Sequence, residues 1–156
     1  MAILNCPAQS YIYITRHAEK ATNDPKDPEL TSDGIARANA LGILLYTKNI
    51  KKIYSTSYKR TQSTAKPLSE AIHVPIQEYN KDTSGTLLRR VLASRQNTFI
   101  VGHSNSVIPM LDSLGLPHKK MKIEENEYDN LFIVTMKKGH AISVKETKFG
   151  APSPVN

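Results

Sequence analysis

The chain has 156 residues, a formal net charge of +7 and 39% hydrophobic residues. A chain of this size commonly buries one core, so we predict a single domain over residues 1–156, with loose termini at 1–10 and 149–156. The lone Cys6 excludes an intramolecular disulfide, and no run approaches the ~18 apolar residues of a membrane span. The N-terminal stretch lacks the charged and apolar parts of a signal peptide, so we expect a cytoplasmic protein with no membrane partner.

The positive charge favours anionic partners but does not favour nucleic acid. The lysines are scattered along the chain and are not interleaved with aromatic residues, as a nucleic-acid face would require. A phosphorylated small molecule or a phosphoprotein fits the charge as well. We therefore expect a phosphorylated substrate and no nucleic acid.

The first part of the chain predicts two strands with a helix between them. YIYIT (residues 11–15) is a short apolar run bounded by polar residues, which is typical of a strand buried on both faces. Thr31 or Ser32 is a candidate N-cap of a helix. The apolar stripe of this helix would be Ile35, Ala38, Leu41 and Leu45. KKIYST (51–56) then predicts the second strand.

Two further helices and a third strand follow. The stripe of the second helix would be Thr61, Ala65, Leu68 and Ile72. Pro67 lies within it and must kink the helix or mark a local restart. Thr83 or Ser84 can cap a third helix. Its apolar residues would be Leu87, Leu88, Val91 and Leu92. NTFIVG (97–102) predicts the third strand.

The last elements complete the fold class. Residues 106–114 predict a fourth helix, and LFIVTM (131–136) and AISVKE (141–146) predict a closing hairpin. Strands separated by helices favour an α/β three-layer sandwich, with a mainly parallel central sheet and helices on both faces.

Cationic and imidazole side chains follow three of the predicted strands. Arg16 and His17 follow the first, Arg60 follows the second by one short loop, and His103 directly follows the third. One such histidine alone is usually a packing residue, and one such arginine is usually a solvated charge. Ligands of open α/β sheets bind at the carboxyl ends of the strands, however, and burying two arginines without a counter-anion is costly. Together these residues favour a phosphate site.

Three motifs resemble those of one family. RHA (16–18) resembles the Arg-His-Gly signature of the histidine phosphatase (phosphoglycerate mutase-like) superfamily, with alanine in place of the usual glycine. RTQSTA (60–65) and VGHS (101–104) resemble its second and third motifs. RHAEK (16–20) and EYD (127–129) are similar to a compact bacterial branch. The motifs extend over nearly the whole chain, and the resemblance implies the phosphoglycerate mutase-like fold.

The resemblance implies roles for the strand-end residues. Arg16 and Arg60 would grip the phosphoryl oxygens bidentately, and His17 would be the nucleophile that becomes a phosphohistidine. His103 would donate a hydrogen bond to the phosphoryl group. Further phosphate or outer contacts would come from Ser57, Thr61 and the start of the fourth helix at Ser104 and Asn105. The resemblance requires no metal and no cofactor.

The three motifs do not identify the residue that gives a proton to the leaving oxygen. Many relatives use a glutamate beyond the second motif, and Glu78 lies in roughly that region, so we favour Glu78. Asp82, Glu19 and Asp129 stay open as alternatives. Each acidic residue alone is more often a surface charge than a catalytic acid.

The compact length favours a phosphatase that acts on a phosphomonoester or a phosphohistidine. A mutase-type phosphoryl transferase is the alternative, for which KKMK (119–122) would supply cations. A non-catalytic phosphate-binding module also stays open, as does a metal hydrolase that uses His17 and His103. GHSNS (102–106) only faintly resembles the Gly-x-Ser-x-Gly elbow of serine hydrolases, because its last glycine is missing.

Overall fold

The computed structural model describes residues 9–154 and contains a six-stranded sheet with helices on both faces. The elements, in chain order, are β1 (Gln9–Arg16), α1 (Ser32–Leu45), β2 (Lys52–Ser55), α2 (Lys59–Ile72), β3 (Ile76–Glu78), a 3₁₀ helix (Lys81–Thr83), α3 (Ser84–Ser94), β4 (Thr98–Gly102), α4 (Val107–Asp112), β5 (Asn130–Lys137) and β6 (His140–Lys148). Among the described helices, none is long and apolar enough to span a membrane.

The sheet brings the predicted strand ends to one edge. Its order is β3-β2-β4-β1-β5-β6; β3, β2, β4 and β1 pair in parallel, and β1 with β5 and β5 with β6 pair antiparallel. Arg16 is in register with Gly102, and Ser55 with Val101. The residues that follow β1, β2 and β4 are therefore neighbours in space. The predicted mainly parallel α/β sandwich is confirmed.

Two apolar clusters fill the space between the sheet and its helices. On one face, α1 and α2 pack Leu41, Leu45, Ala65 and Leu68 against Ile53 and Phe99. On the other face, α3 and α4 pack Leu87, Leu88, Val91, Met110 and Leu111 against Ile12, Ile100 and Phe132. Because the central strands are covered on both sides, they consist of nearly continuous apolar residues.

The first helix confirms the predicted cap but not the whole stripe. Thr31 is its N-cap, and the hydroxyl of Thr31 accepts a hydrogen bond from the Gly34 amide at 3.0 Å. Ile35, predicted to be in the core, is 55% exposed, whereas Arg37 is buried. Arg37 can be buried because its guanidinium pairs with the Glu19 carboxylate and donates to the Phe149 carbonyl.

Three local predictions need correction. The helix α2 continues through Pro67 as one helix, so of the two alternatives predicted at Pro67 the restart does not occur. The fourth helix is Val107–Asp112, shorter than predicted at both ends. The strand β3 was not predicted at all, because its three half-exposed residues are too few to show an alternating pattern.

Parts of both termini that were predicted to be loose are held in the structure. Residues 9 and 10 belong to β1, and Phe149 is buried. The Ser153 hydroxyl accepts from the Tyr128 amide at 2.8 Å, and the Ser153 amide donates to the Asp129 carboxylate at 3.0 Å. The expectation of a loose tail is therefore wrong for residues 149–153. Residues 1–8, which include Cys6, and residues 155–156 lie outside the described residues.

Candidate active site

His17 directly follows β1 and is almost completely buried. Its Nδ1 lies 2.8 Å from the Ala18 carbonyl oxygen. A carbonyl oxygen can only accept, so Nδ1 carries the proton and Nε2 keeps its lone pair. Burial is the main cause that lowers the pKa of His17 to about 3, and the charges of Arg16 and Arg60 act in the same direction. The ring is therefore neutral at neutral pH, with one nitrogen available as a nucleophile.

His103 follows β4 and is held by hydroxyl groups. Its Nε2 lies 2.8 Å from Thr56 Oγ1, which in turn lies 2.8 Å from Thr61 Oγ1. The Thr61 hydroxyl donates to backbone carbonyl oxygens of Thr56 and Tyr58 at 3.1 and 2.9 Å. With that proton committed, Thr56 donates to Thr61 and accepts the proton on Nε2 of His103. In this structure His103 is therefore a donor through Nε2.

The rings of His17 and His103 lie next to each other in the site. Their centroids are 5.5 Å apart in an edge-on arrangement, and the Tyr58 ring packs edge-on against His103 at 5.3 Å. Burial, followed by the charges of Arg60 and Lys81, lowers the pKa of His103 to about 4. Both histidines are therefore neutral at neutral pH, because the site combines low exposure with strong positive potential.

Arg16 is buried at the end of β1 and is held by a late loop. Its Nη1 donates to the carbonyl oxygens of Glu124, Glu125 and Glu127 at 2.8, 3.0 and 2.9 Å. Its guanidinium carbon lies 4.3 Å from the centre of the Tyr128 ring. Its Nε–H is buried and has no acceptor among the described residues. One end of this guanidinium is thus saturated, and its Nε edge is unpaired.

Arg60 enters the site from the first turn of α2. Its guanidinium carbon lies 4.5 Å from the centre of the Tyr58 ring, and Nη1 lies 3.9 Å from an Asp27 carboxylate oxygen. Its Nε–H is also buried without an acceptor in the described part of the chain. Buried donors are normally paired, so two such orphaned groups close to the same histidines point to a missing acceptor. An anion with several oxygens would satisfy both.

Thr64 joins the first two motifs. Its hydroxyl accepts from the Ala18 amide at 2.9 Å and donates to the Arg60 carbonyl at 2.7 Å. The His17 amide donates to the Gly102 carbonyl at 2.9 Å, which ties the first motif to the third. The first motif is therefore tied to the second through the Ala18 amide and to the third through the His17 amide.

A cavity of about 440 Å³ lies beside the residues that hold His103, and the favoured acid is in its lining. It is lined by Thr56, Ser57, Tyr58, Glu78, Tyr79, Asn80, Lys81 and Asp82. Two of these residues, Thr56 and Tyr58, contact His103 directly. Glu78 is exposed at the end of β3, and its carboxylate has no partner among residues 9–154. The cavity therefore holds the Glu78 carboxylate together with the two residues that contact His103.

Two of the alternative acids have other contacts. The Glu19 carboxylate accepts from Arg37 Nε at 2.9 Å and pairs with Arg37 Nη2 at 2.8 Å. The Asp129 carboxylate accepts from Lys148 Nζ and from the Ser153 amide, both at 3.0 Å. Only Asp82 shares the cavity with Glu78.

The predicted helix-start contacts are displaced. Ser104 and Asn105 lie in a turn, and α4 begins only at Val107, so they do not open the helix as predicted. Ser57 is exposed and lines the cavity, and Thr61 reaches His103 only through Thr56. Among the described residues, no group of three His, Cys, Asp or Glu side chains is arranged to hold a metal ion.

Sequence reasoning missed several residues of the site. Two tyrosines stack on the arginines but had no predicted role: Tyr128 lies in the quoted EYD segment, and Tyr58 lies just before RTQSTA. Thr56, which bonds His103, was also overlooked. The carbonyl groups of residues 124–127 leave no signal in the sequence, because every residue has one.

Comparison with known proteins gives one family match and several structures of similar fold. The model of the histidine phosphatase superfamily (branch 1) matches residues 12–81. This range contains Arg16, His17, Arg60 and Glu78 and ends before His103. No curated protein matches the sequence significantly.

Several solved structures share the fold at low sequence identity. The protein histidine phosphatase SixA complexed with tungstate is 14% identical, with a TM-score of 0.73 over 88% of this chain and 96% of that one. A mycobacterial glucosyl-3-phosphoglycerate phosphatase is 13% identical, with a TM-score of 0.72 over 92% of this chain and 100% of the other. A phosphoglycerate mutase from Bacillus anthracis is 14% identical, with a TM-score of 0.63 over 88% and 92%. Phosphatases and a mutase thus share this fold.

Proposed function

We propose that the protein is a histidine phosphatase that hydrolyses a phosphomonoester or a phosphohistidine through a phosphohistidine on His17. The observation that carries this proposal is the state of His17, whose proton is held on Nδ1 by the Ala18 carbonyl while Nε2 is free. The orphaned Nε–H groups of Arg16 and Arg60 support a phosphate beside it. The family match over residues 12–81 and the phosphatases among the similar structures support the same hydrolase-type activity.

In the first step the two arginines bind the equatorial phosphoryl oxygens through their Nε edges. The lone pair of His17 Nε2 attacks phosphorus, the N–P bond forms, and the bond from phosphorus to the leaving atom breaks. The Ala18 carbonyl stabilises the imidazolium that results, because it already accepts the Nδ1 proton. His103 donates its Nε2–H to a phosphoryl oxygen in place of Thr56, which stabilises the charge of the transition state.

Glu78 is the proposed acid. Its exposed position in the cavity next to His103 allows it to give a proton to a leaving alkoxide. In the second step the Glu78 carboxylate takes a proton from water, the oxygen of that water attacks phosphorus, and the N–P bond breaks to release phosphate and regenerate neutral His17. An imidazole leaving group from a phosphohistidine substrate depends less on such an acid.

The direct test is phosphate release in the presence of a metal chelator. The panel contains sugar phosphates, nucleotides, phosphoglycerates and a phosphohistidine peptide. Activity on at least one member should persist in chelator, disappear in His17→Ala and be unchanged in His140→Ala, whose exposed histidine is the matched control. Loss of activity in chelator would favour a metal hydrolase, and phosphate binding without turnover would favour a binding module.

The mutase alternative has a separate test. A mutase must keep water from its phosphohistidine and hold a bisphosphorylated intermediate, which favours extra free cations. In residues 119–122, however, Lys120 pairs with Glu127, and Lys122 pairs with Glu124 at 3.0 Å. We therefore expect phosphate release to be faster than phosphoglycerate isomerisation when 2,3-bisphosphoglycerate primer is supplied. Faster isomerisation would contradict the proposed hydrolase.

A further inference from the structure

The loop that holds Arg16 is itself held by two carboxylates. The Glu146 carboxylate, on β6, accepts from the amides of Lys119 and Lys120 at 2.8 and 2.7 Å. The Glu127 carboxylate binds the Lys120 ammonium through Oε1 and accepts from the Glu124 amide through Oε2 at 2.8 Å. Glu127 therefore closes residues 120–127 into a clasp, with one carboxylate oxygen on the Lys120 side chain and the other on the Glu124 amide.

The clasp sets the direction of the carbonyl groups that Arg16 uses. Nη1 of Arg16 donates to three carbonyl oxygens, at positions 124, 125 and 127, and these must converge on one nitrogen. Carbonyl groups so close in sequence converge only when the chain between them is bent and held. The Glu127 amide closes this bend by donating to the Glu124 carbonyl at 3.1 Å, and the Glu127 carboxylate fixes it by accepting from the Glu124 amide. Glu127 also supplies one of the three carbonyl groups.

This arrangement decides which edge of the guanidinium is left for a ligand. A guanidinium offers a fork through Nε and the Nη on the same side. With Nη1 saturated, the fork of Nε and Nη2 is left, and Nε has no partner among the described residues. Within residues 9–154, the contact of Nη2 is a long one of 3.6 Å to the Glu125 carboxylate, whose side chain is 83% exposed. The Tyr128 ring keeps the guanidinium plane in place.

We propose that Glu127 is a positioning residue for phosphate binding: its clasp on residues 120–127 turns the Nε edge of Arg16 toward the anion. Glu127 does not touch the substrate. It acts through backbone carbonyl groups and therefore sets the orientation of the Arg16 guanidinium toward the anion, not the charge of the site. The inference rests on the proposed function and adds to it a residue outside the three motifs.

Two acidic residues of the same loop separate positioning from charge. Removing either carboxylate makes the loop less negative, so an account based only on charge predicts tighter anion binding in both Glu127→Ala and Glu125→Ala. The clasp instead predicts that the two substitutions change tungstate affinity in different ways. Glu125→Ala removes the exposed competitor for Nη2 and should leave tungstate binding equal or tighter. Glu127→Ala frees the carbonyl groups and should weaken it.

The experiment measures tungstate binding by calorimetry and, in parallel, kcat/KM for phosphate release. We expect Glu127→Ala to lower both by about 10- to 100-fold, since small misplacements of a positioning group carry penalties of this size. Glu127→Gln keeps an oxygen acceptor for the Glu124 amide and should recover most of the loss. Glu70→Ala, which removes an exposed carboxylate paired with Lys66 at 3.7 Å, is the control and should change neither.

A double-mutant cycle tests whether Glu127 acts through Arg16. Once Arg16→Lys has removed the fork, adding Glu127→Ala should cost little more. If Glu127→Ala does not fold, Lys120→Met opens the clasp from its other side, and Lys119→Met, which removes the same charge without breaking the Glu127 ion pair, is its control. Lys120→Met should weaken tungstate binding more than Lys119→Met does, but less than loss of the whole clasp, because the Glu124 amide keeps its acceptor. Equal or tighter tungstate binding in these clasp variants, or fully additive losses with Arg16→Lys, would overturn the positioning role and leave the hydrolase intact. Failure of the folded wild-type protein to bind tungstate would overturn the phosphate site itself.

Discussion

Arg16 and Arg60 approach the same histidine pair from two differently built regions. Arg16 stands at the end of β1, and backbone carbonyl groups hold its Nη1. Arg60 stands in the first turn of α2, with a stacked tyrosine and one long contact of 3.9 Å to Asp27. The histidines divide in the same way. A backbone carbonyl holds His17, whereas the hydroxyl of Thr56 holds His103.

The difference separates a fixed side of the site from an adjustable side. Backbone carbonyl groups are present whatever the side chain, so the orientation of His17 and Arg16 depends on the path of the chain. Hydroxyl groups and rings can be replaced or displaced, and in the proposed mechanism Thr56 gives up its bond to His103 when His103 donates to a phosphoryl oxygen. We therefore expect all-or-none effects on the His17 side and graded effects on the Arg60 side. Four predictions test this difference.

The largest effect is expected for His17→Ala. Without the nucleophile, the acid-labile and base-stable phosphoryl label should disappear, and kcat/KM should fall by at least about 10³-fold. Rapid quenching with a radiolabelled substrate measures the label. In His103→Gln, on the adjustable side, the label should still form but more slowly. Labelling that persists in His17→Ala would show that the nucleophile lies elsewhere.

The next effect is expected for Glu78→Gln, which removes the proton donor and keeps the shape of the side chain. The kcat/KM for an alkyl phosphomonoester should fall by about 10²- to 10⁴-fold, because general acids contribute on this scale. The loss should be much smaller for an aryl phosphate with an acidic phenol. Glu70→Gln is the matched control on the exposed surface of α2. Equal losses for both substrates would mean that Glu78 is not the acid, and Asp82→Asn would be tested next.

Arg60→Lys should have a smaller, graded effect. Lysine keeps the charge but loses the planar fork, so kcat/KM should fall by about 10- to 1000-fold, or about 1.4 to 4 kcal/mol of transition-state stabilisation. Phosphate and vanadate should remain competitive inhibitors, with weaker affinity. Arg90→Lys, on the exposed face of α3, should behave as the wild type. Full activity of folded Arg60→Lys would mean that the fork of Arg60 does not bind the phosphoryl group.

The smallest expected effect is on stability at low pH. Burial lowers the pKa of His17 to about 3 and that of His103 to about 4, from the usual value of 6.5. At a pH between the lowered pKa and 6.5, each histidine is protonated in the unfolded chain but neutral in the folded one, so the unfolded chain binds more protons. The stability is therefore complete above pH 6.5 and is lost as the pH falls toward 4. The loss between pH 7 and 5 should be on the order of 1 to 4 kcal/mol.

Thermal denaturation at a series of pH values measures this loss. His17→Gln and His103→Gln should each flatten the fall in Tm between pH 7 and 5, since glutamine does not titrate. His140→Gln, at an exposed position, should not flatten it. An unchanged slope in both buried-site variants would mean that the histidines are not held neutral by burial.

The motifs were visible in the sequence because their chemistry depends on side-chain identity and order. Apolar runs ending in Arg16 and His17 or in His103 predicted buried strands with functional ends, and the parallel register brings those ends together. An N-cap at Thr31 or Ser32 followed from local hydrogen-bonding preference, and Thr31 is the one that the structure shows. Local patterns such as these depend on neighbours in sequence, so the sequence was enough to predict them.

The tertiary structure decided what depends on residues far apart in the chain. Arg37 is buried and Ile35 exposed because Glu19 and the Phe149 carbonyl meet the guanidinium, a contact that helical periodicity cannot show. The orientation of Arg16 depends on carbonyl groups of residues 124–127, more than 100 positions away in sequence. Backbone groups carry no sequence signal, and their direction is set only when the chain folds. The sequence determined which residues stand at the strand ends, and the folded chain determined which of their atoms are left free for a ligand.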